Sequence, residues 1–464
     1  MGLAGDLFSA LFPAGCISFQ RAFARSNVQR TTGWRMTLLT LAIILIILLS
    51  VLEMPLFVGI AGLSMACLWN SAHDPTVLQT IMIEMNRLAG MPVLVALPLF
   101  TMVGCVLTAS GAPRRMLNFL EAAAGWLPGG SAMAALCACA FFTALTGASG
   151  VTIVALGAVL YPILQQQQYS EKFILGLLTT GGSLGLLFPP SLPIILYGVV
   201  GQIDIGRIFK ATLLPGLMLL LVLCAYAFAR GRRLTRAANA KRSLAWRQVW
   251  RAFLGGAWDW LLIVLILGGV YGGLVTIAEV SALVLVYVIV VECFILKEIH
   301  WRRQLPGIMV ESAMLSGAII IILGMALGFT GYLVDAQIPR RLLGFLTHLT
   351  HNKYIFLAGL NIFLIGVGCI MDIFSAIVIV VPIIVPVARS YGIDLYHLCA
   401  IFLVNLEIGY STPPVGMNLF IASLKFRQPV TALYRASLPF LLLLAICLLL
   451  VTYMPALSLF LLNH

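Results

Sequence analysis

Apolar runs follow one another along almost the whole chain, near 37–53, 54–70, 88–111, 130–164, 172–200, 211–229, 257–275, 276–294, 307–334, 354–388, 396–424 and 432–461. A helix that crosses a bilayer needs about 20 such residues. Inside lipid the backbone must satisfy its own hydrogen bonds, so runs of this length read as helices and not as strands. The 464 residues are 61% hydrophobic and only 9% charged, far from the roughly one-quarter charged composition of a soluble domain. The expected fold is all-α and polytopic, with the lipid bilayer as its first partner.

The formal net charge of +12 does not point to nucleic acid, because the basic residues sit between the apolar runs and form no continuous soluble patch. From Arg230 to Arg251 there are eight Lys or Arg and no Asp or Glu, and the positive-inside rule places this linker in the cytoplasm. The ten cysteines lie mostly within apolar runs and form no C-x-x-C pair, which reads as small hydrophobes rather than a disulfide or metal framework. The six histidines form no H-x-x-x-H or H-E-x-x-H arrangement, and no Walker A segment is present. Nothing suggests an enzyme or ATP hydrolysis. Any work such a chain does across a membrane must be driven by an ion gradient or by a partner.

The chain repeats itself. PRRMLNFL at 113–120 and PRRLLGFL at 339–346 are identical at six of eight positions. Gly185 matches Gly409, and Pro189-Pro190 match Pro413-Pro414, at an offset of 224. The interrupted runs at 130–164 and 354–388 read as re-entrant hairpins with five crossings between them. An odd number of crossings makes the two copies inverted. The expected organisation is an N-terminal extension over 1–35, a first repeat over 36–230, the cytoplasmic linker over 231–256 and a second, inverted repeat over 257–464. Counting from that linker puts Arg114, Arg115, Lys297, Arg302, Arg303, Lys425 and Arg427 inside. The same count puts the N-terminus outside, against the preference of Arg21, Arg25, Arg30 and Arg35, so either Met36 is the true start or the extension adds a crossing. The basic PRR segments, followed by Leu and Phe at helical spacing, read as amphipathic helices lying in the interface.

Inverted repeats with discontinuous helices are a common architecture of secondary transporters, since a broken helix offers amide and carbonyl dipoles to a ligand. Four breaks stand out: 146–152 and 185–191 in the first copy, 368–375 and 409–416 in the second. Gly and Pro free carbonyls from the helical ladder and small hydroxyl residues add neutral oxygens, a donor set suited to a monovalent cation and a hydrogen-bonded carboxylate. Small residues also let membrane helices pack closely, and that reading suits the scattered Gly317 and Gly324; the double prolines at matching positions favour sites. Asp372 and Glu407 lie in apolar segments, where a carboxylate at a lipid-facing helix centre costs about 2.5 to 3.5 kcal/mol, so each needs a partner or a function. Glu279 and Glu311, near span ends, read as structural or interfacial.

The phrases LFPPSLPIILYG (187–198), VPIIVPVARSYGID (381–394) and VNLEIGYSTPPVGMNLFIAS (404–423) resemble the large membrane subunit of tripartite ATP-independent periplasmic (TRAP) transporters, from about residue 36 to the C-terminus and closest to the C4-dicarboxylate branch. The resemblance implies an elevator-type transporter in the bacterial inner membrane, with sodium ions as coupling ions. It also implies a small four-helix membrane partner, and a periplasmic binding protein that delivers a small organic anion such as a C4-dicarboxylate. Carried over by motif, the candidate substrate ligands are Thr146, Ser149, Thr152, Ser191, Asp372, Ser375 and Thr412. The candidate sodium ligands are Gly147, Gly185, Pro189, Pro190, Asp372, Gly409, Thr412, Pro413 and Pro414. Two departures stand out: Thr146-Gly147-Ala148-Ser149 replaces the family's Ser-Gly-Ser-Ser tip, and Thr276-Ile277-Ala278-Glu279 lacks the proline of its Thr-Pro-Thr-Glu segment. The competing reading is a stand-alone sodium- or proton-coupled anion symporter of the same broad superfamily.

Overall fold

The computed structural model describes residues 79–238, 246–271, 275–337, 352–413 and 416–462, with a few more between 58 and 66 and at 341 and 344. The 1–35 extension, most of the second PRR segment, part of the linker, and Pro414 lie outside the described residues.

The described residues are helical. In chain order the helices are α1 (Gln79–Ala89), α2 (Ala96–Ala109), α3 (Ala112–Ala124), α4 (Gly130–Thr146), α5 (Ser149–Gln166), α6 (Glu171–Gly181), α7 (Leu192–Gly201), α8 (Ile205–Ala238) and α9 (Trp246–Gly255). They continue as α10 (Ala257–Tyr271), α11 (Ile277–Val290), α12 (Leu305–Asp335), α13 (Lys353–Ile370), α14 (Ile373–Ser390), α15 (Leu395–Gly409), α16 (Met417–Phe426), α17 (Val430–Tyr453) and α18 (Ala456–Leu459). Seven are long and apolar enough to cross a membrane, or up to ten if each sharply bent pair is one span.

The expected hairpins are α4–α5 and α13–α14, and each is followed by an interrupted helix, α6–α7 and α15–α16. Local chemistry sets each interruption. Gly147 ends α4 in the left-handed conformation at φ +66°, which costs a residue without a Cβ nothing. Between α6 and α7 the chain runs through a short 3-10 turn, Leu184–Leu187, then an extended Phe188 and a cis Pro189-Pro190 bond. The halves on either side meet at 46°. Asp372 caps α14 and Gly416, at φ +55°, opens α16.

The centre of the molecule is α15, every residue of which from His397 to Gly409 is buried. It packs against α13, α17 and α8. Around this core, α10, α11 and α12 turn apolar side chains outward: Val264, Val286 and Met314 are more than 60% exposed. In a bilayer such faces meet lipid or neighbouring helices rather than water.

Two helices break away from the spans. α3 is bent 71° from α2, and α9 is bent 68° from α10. On α3 the basic segment does more than face an interface. Arg115 forks onto Asp259 of α10, with Nε–Oδ2 2.9 Å and Nη2–Oδ1 3.0 Å, and its Nη2 also reaches Glu292 at 2.6 Å. Its Nη1 donates to Glu298 Oε2 at 2.5 Å, and the Gly111 amide donates to the same oxygen at 2.6 Å. Arg115 is thus a hub for three carboxylates, while Arg114 is exposed.

Candidate functional site

The two hairpin tips and the second interrupted helix converge. Gly147–Val151 of the first tip and Asp372–Phe374 of the second line one cavity of about 610 Å³, together with Tyr410 and Met417. Thr108 of α2, Leu186 of the first interrupted helix and Glu311 of α12 line it as well. Glu311 is therefore not merely a residue near a span end, as its position in the sequence suggested.

The first tip is held by close approaches at glycines. A Cβ on Gly104 of α2 would lie 2.7 Å from Thr146 Cα, and one on Gly147 would lie 2.6 Å from Leu192 Cγ. Ser149 Oγ donates to Asn418 Oδ1 of α16 at 2.7 Å, a contact between the repeats. Thr146 is buried, and its hydroxyl reaches only the Ala148 carbonyl, at 3.5 Å. Thr152 points elsewhere: it is fully buried, with Oγ1 2.7 Å from Thr143 Oγ1, which in turn donates to the Gly182 carbonyl at 2.7 Å.

At the second tip, Asp372 Oδ2 accepts the amides of Phe374 and Ser375, both at 3.1 Å, and the Ser375 hydroxyl donates to Oδ1. The carboxylate that looked isolated in the sequence is the N-cap of α14. An acidic cap is doubly suited to that place, satisfying orphan amides and meeting the positive end of the helix dipole. Asp372 still lines the cavity, whereas Ser375 is fully buried beneath it.

The interrupted helices lean on their own hairpins through backbone contacts in both repeats. A Cβ on Gly185 would lie 2.2 Å from the Ala140 carbonyl oxygen, and one on Gly409 would lie 2.7 Å from Gly368 Cα. The Gly416 amide donates to Cys369 O at 3.0 Å, and the Asn418 amide to Tyr410 O at 3.1 Å. Thr412 Oγ1 donates to Ile408 O at 2.6 Å, so its hydroxyl proton is used within the helix end, and Pro413 beside it is exposed. Pro189 and Pro190 face a separate apolar crevice of about 220 Å³ between α4, α8 and α10. Of the candidate ligands, Gly147, Ser149 and Asp372 thus line the larger cavity, whereas Thr146, Thr152, Gly185, Pro189, Pro190, Ser191, Ser375, Gly409, Thr412 and Pro413 do not.

Several polar atoms at the breaks are buried with no hydrogen-bond partner among the described residues: Ser191 Oγ, Tyr410 Oη, Ser411 Oγ and Asn418 Nδ2. Both carboxylate oxygens of Glu407, one turn before the second break, are in the same condition. Such atoms cost about 1–3 kcal/mol each unless something else supplies a bond. Sequence reasoning did not single out Asn418 or Tyr410, although each is a polar group close to the Pro413-Pro414 break.

A membrane-embedded helical bundle whose two hairpins and an interrupted helix share one cavity, with unsatisfied oxygens and amides at the breaks, defines a membrane transporter. The chain belongs to the family described as "Tripartite ATP-independent periplasmic transporter, DctM component", which it matches over residues 36–457. It is 36% identical over 393 residues, covering 84% of this chain and 91% of the relative, to the C4-dicarboxylate TRAP transporter large permease protein DctM of Pseudomonas aeruginosa. It is also 32% identical over 415 residues to the isethionate TRAP transporter permease protein DctMQ of Oleidesulfovibrio alaskensis, covering 88% of this chain and 64% of that one. The ectoine/5-hydroxyectoine large permease protein UehC of Ruegeria pomeroyi is 28% identical over 371 residues, 79% of this chain and 85% of its own length. Among solved structures, the YdaH transporter of Alcanivorax borkumensis shares the fold, with a TM-score of 0.58 at 14% identity over 81% of this chain and 87% of that one. The protein is a large permease subunit of the bacterial inner membrane.

Proposed function

We propose that this subunit forms the translocation path for a small organic anion, such as a C4-dicarboxylate, and moves it together with sodium ions. A periplasmic binding protein delivers the substrate, and a small four-helix membrane subunit completes the complex. The observation that carries this reading is the 610 Å³ cavity bounded by both tips at once. It holds Ser149 and the amide-rich start of α5 on one wall and the capped carboxylate of Asp372 on the other.

Charge supports the cation. Glu311 and Asp372 line the cavity, and no Lys, Arg or His does so among the described residues. An anion entering alone would be repelled: two like charges about 5 Å apart at an effective dielectric near 20 cost on the order of 3 kcal/mol. Cations entering with it remove that penalty. The carbonyls freed at the breaks, with the unpartnered hydroxyls of Ser191 and Ser411, are the neutral oxygens a hard monovalent ion accepts.

The test is uptake into proteoliposomes by the assembled system under imposed gradients. Uptake that requires the binding protein and follows an inward sodium gradient is the expected result. Uptake by this chain alone indicates the stand-alone symporter, and uptake driven by a proton gradient without sodium refutes sodium coupling.

A further inference from the structure

α9 has an apolar side that the described residues leave bare. None of its ten residues is buried. Trp246, Trp250 and Leu254, at successive i+4 positions, are 69%, 54% and 55% exposed. At 100° per residue they form one continuous strip, with Val249 and Phe253 on its inner edge and Arg247 and Arg251 on its outer edge. Both arginines are exposed and have no ion pair among the described residues.

The inner edge is fixed. Phe253 lies 5.7 Å from the Phe119 ring of α3 and 6.1 Å from Trp260 of α10, and Phe119 meets Trp260 edge-on at 4.5 Å. These three rings join α9 to α3, and the Arg115 hub joins α3 to α10. Both helices leave their spans at about a right-angled turn, by 71° and 68°. The result is a platform lying across the ends of the spans, with tryptophans on its free side.

We propose that α9 binds the anionic phospholipid surface of the cytoplasmic leaflet. Trp246, Trp250 and Leu254 enter the boundary between headgroups and acyl chains, and Arg247 and Arg251 pair with the phosphates. The orientation of α9 fits: a helix steeply inclined to its span lies near the membrane plane. The composition fits as well, because tryptophan concentrates at bilayer interfaces and a helix with one aromatic and one basic edge is the form that settles there. The charge is complementary: Arg247 and Arg251 end a stretch of eight basic residues without an acid. Basic residues beside a membrane are attracted to the anionic cytoplasmic leaflet. Because α9 is stacked on α3, and α3 leads directly into the first hairpin, headgroup binding steadies the segment that holds one wall of the cavity.

The test uses the full-length protein reconstituted into vesicles of brominated phosphatidylcholine, with or without phosphatidylglycerol. The contribution of this strip is the difference in tryptophan quenching between the native chain and W246F/W250F. The expected result is strong quenching in the vesicles that contain phosphatidylglycerol. It should weaken in R247Q/R251Q, with partitioning of the helix falling about fivefold per arginine removed. It should weaken equally for the native chain without phosphatidylglycerol. Quenching that is identical with and without anionic lipid overturns the headgroup assignment. Absence of quenching overturns the insertion of α9. Quenching that disappears when the small membrane subunit is added assigns the strip to that protein and overturns the lipid proposal.

Discussion

Ser149, at the tip of the first hairpin, donates its hydroxyl to Asn418 Oδ1 of α16 at 2.7 Å, across 269 positions of chain. Asn418 is fully buried and its amide nitrogen already lacks a partner. Removing the serine hydroxyl therefore strands a second polar atom of one side chain.

Ser149→Ala is expected to cost about 1–3 kcal/mol and to lower the rate of uptake per folded molecule by about tenfold. In an Asn418→Leu background the same substitution should cost little, because the acceptor is gone. A double-mutant cycle of initial uptake rates measures the coupling; strictly additive losses would show that the two side chains act independently.

Asp372→Asn separates the cap from the charge. Asparagine is as good an N-cap as aspartate, so α14 should fold normally and thermal stability should change by less than about 1 kcal/mol. The cavity wall loses a negative charge, and the sodium concentration for half-maximal uptake should rise. Unchanged sodium dependence with normal folding would confine Asp372 to its capping role.

Arg115→Gln removes the one cation that, among the described residues, pairs with Asp259, Glu292 and Glu298. The Glu292 side chain is 1% exposed, and leaving a buried charge without its partner costs about 3–5 kcal/mol. A marked drop in the thermal midpoint and in the yield of folded protein is expected. Arg114→Gln, on the exposed side of the same turn, should stay within about 0.5 kcal/mol of the native protein.

The same hub sets an acid limit. Burial alone would raise the Glu298 carboxyl, but the hydrogen bonds from the Arg115 guanidinium and the Gly111 amide outweigh it and leave the group below its ordinary value. A carboxyl depressed in the folded state contributes its full stabilisation above the unfolded value of about 4.3, and that contribution disappears as pH falls through the lower folded value. Glu298→Gln should therefore flatten the fall of the thermal midpoint below about pH 4, while lowering stability at neutral pH. An acid limb unchanged by the substitution would assign it to other groups.

Much of this architecture is legible before any coordinates. Interruptions by Gly and Pro within long apolar runs mark the first hairpin and both broken helices, because those residues disrupt the hydrogen-bond ladder that lipid otherwise enforces; the second tip is marked instead by Asp372, an N-cap residue within an apolar run. The chemistry of single residues is less legible. Asp372 looked solitary because its partners are the amides of the next two positions after Ile373, which have no signature as ligands. Arg115 looked like a membrane anchor because its carboxylates lie 144 to 183 positions away. Thr152 and Ser191 share the composition of the ligand-facing positions, but helical phase turns Thr152 toward Thr143, and Ser191 is buried outside the cavity lining. Tyr410, inside the 409–416 break, and Asn418, just beyond it, do not read as ligands in the sequence, because an aromatic and an amide within an apolar phrase resemble ordinary packing residues.

The backbone-on-backbone contacts at the two breaks also govern how this sequence can drift. A side chain in the way can turn to another rotamer, but the Ala140 carbonyl and the Gly368 backbone are held by their own helices and have nowhere to go. Any single change at Gly185 or Gly409 thus requires a whole helix to shift, and no second-site substitution of a side chain can compensate for it. A Cβ on Gly307, Gly317, Gly359 or Gly366 would meet nothing within 4 Å among the described residues, so these positions are under less constraint from within the chain. Among descendants of this gene, Gly185 and Gly409 should stay fixed long after the others have been replaced, and the pair would outlast changes of substrate.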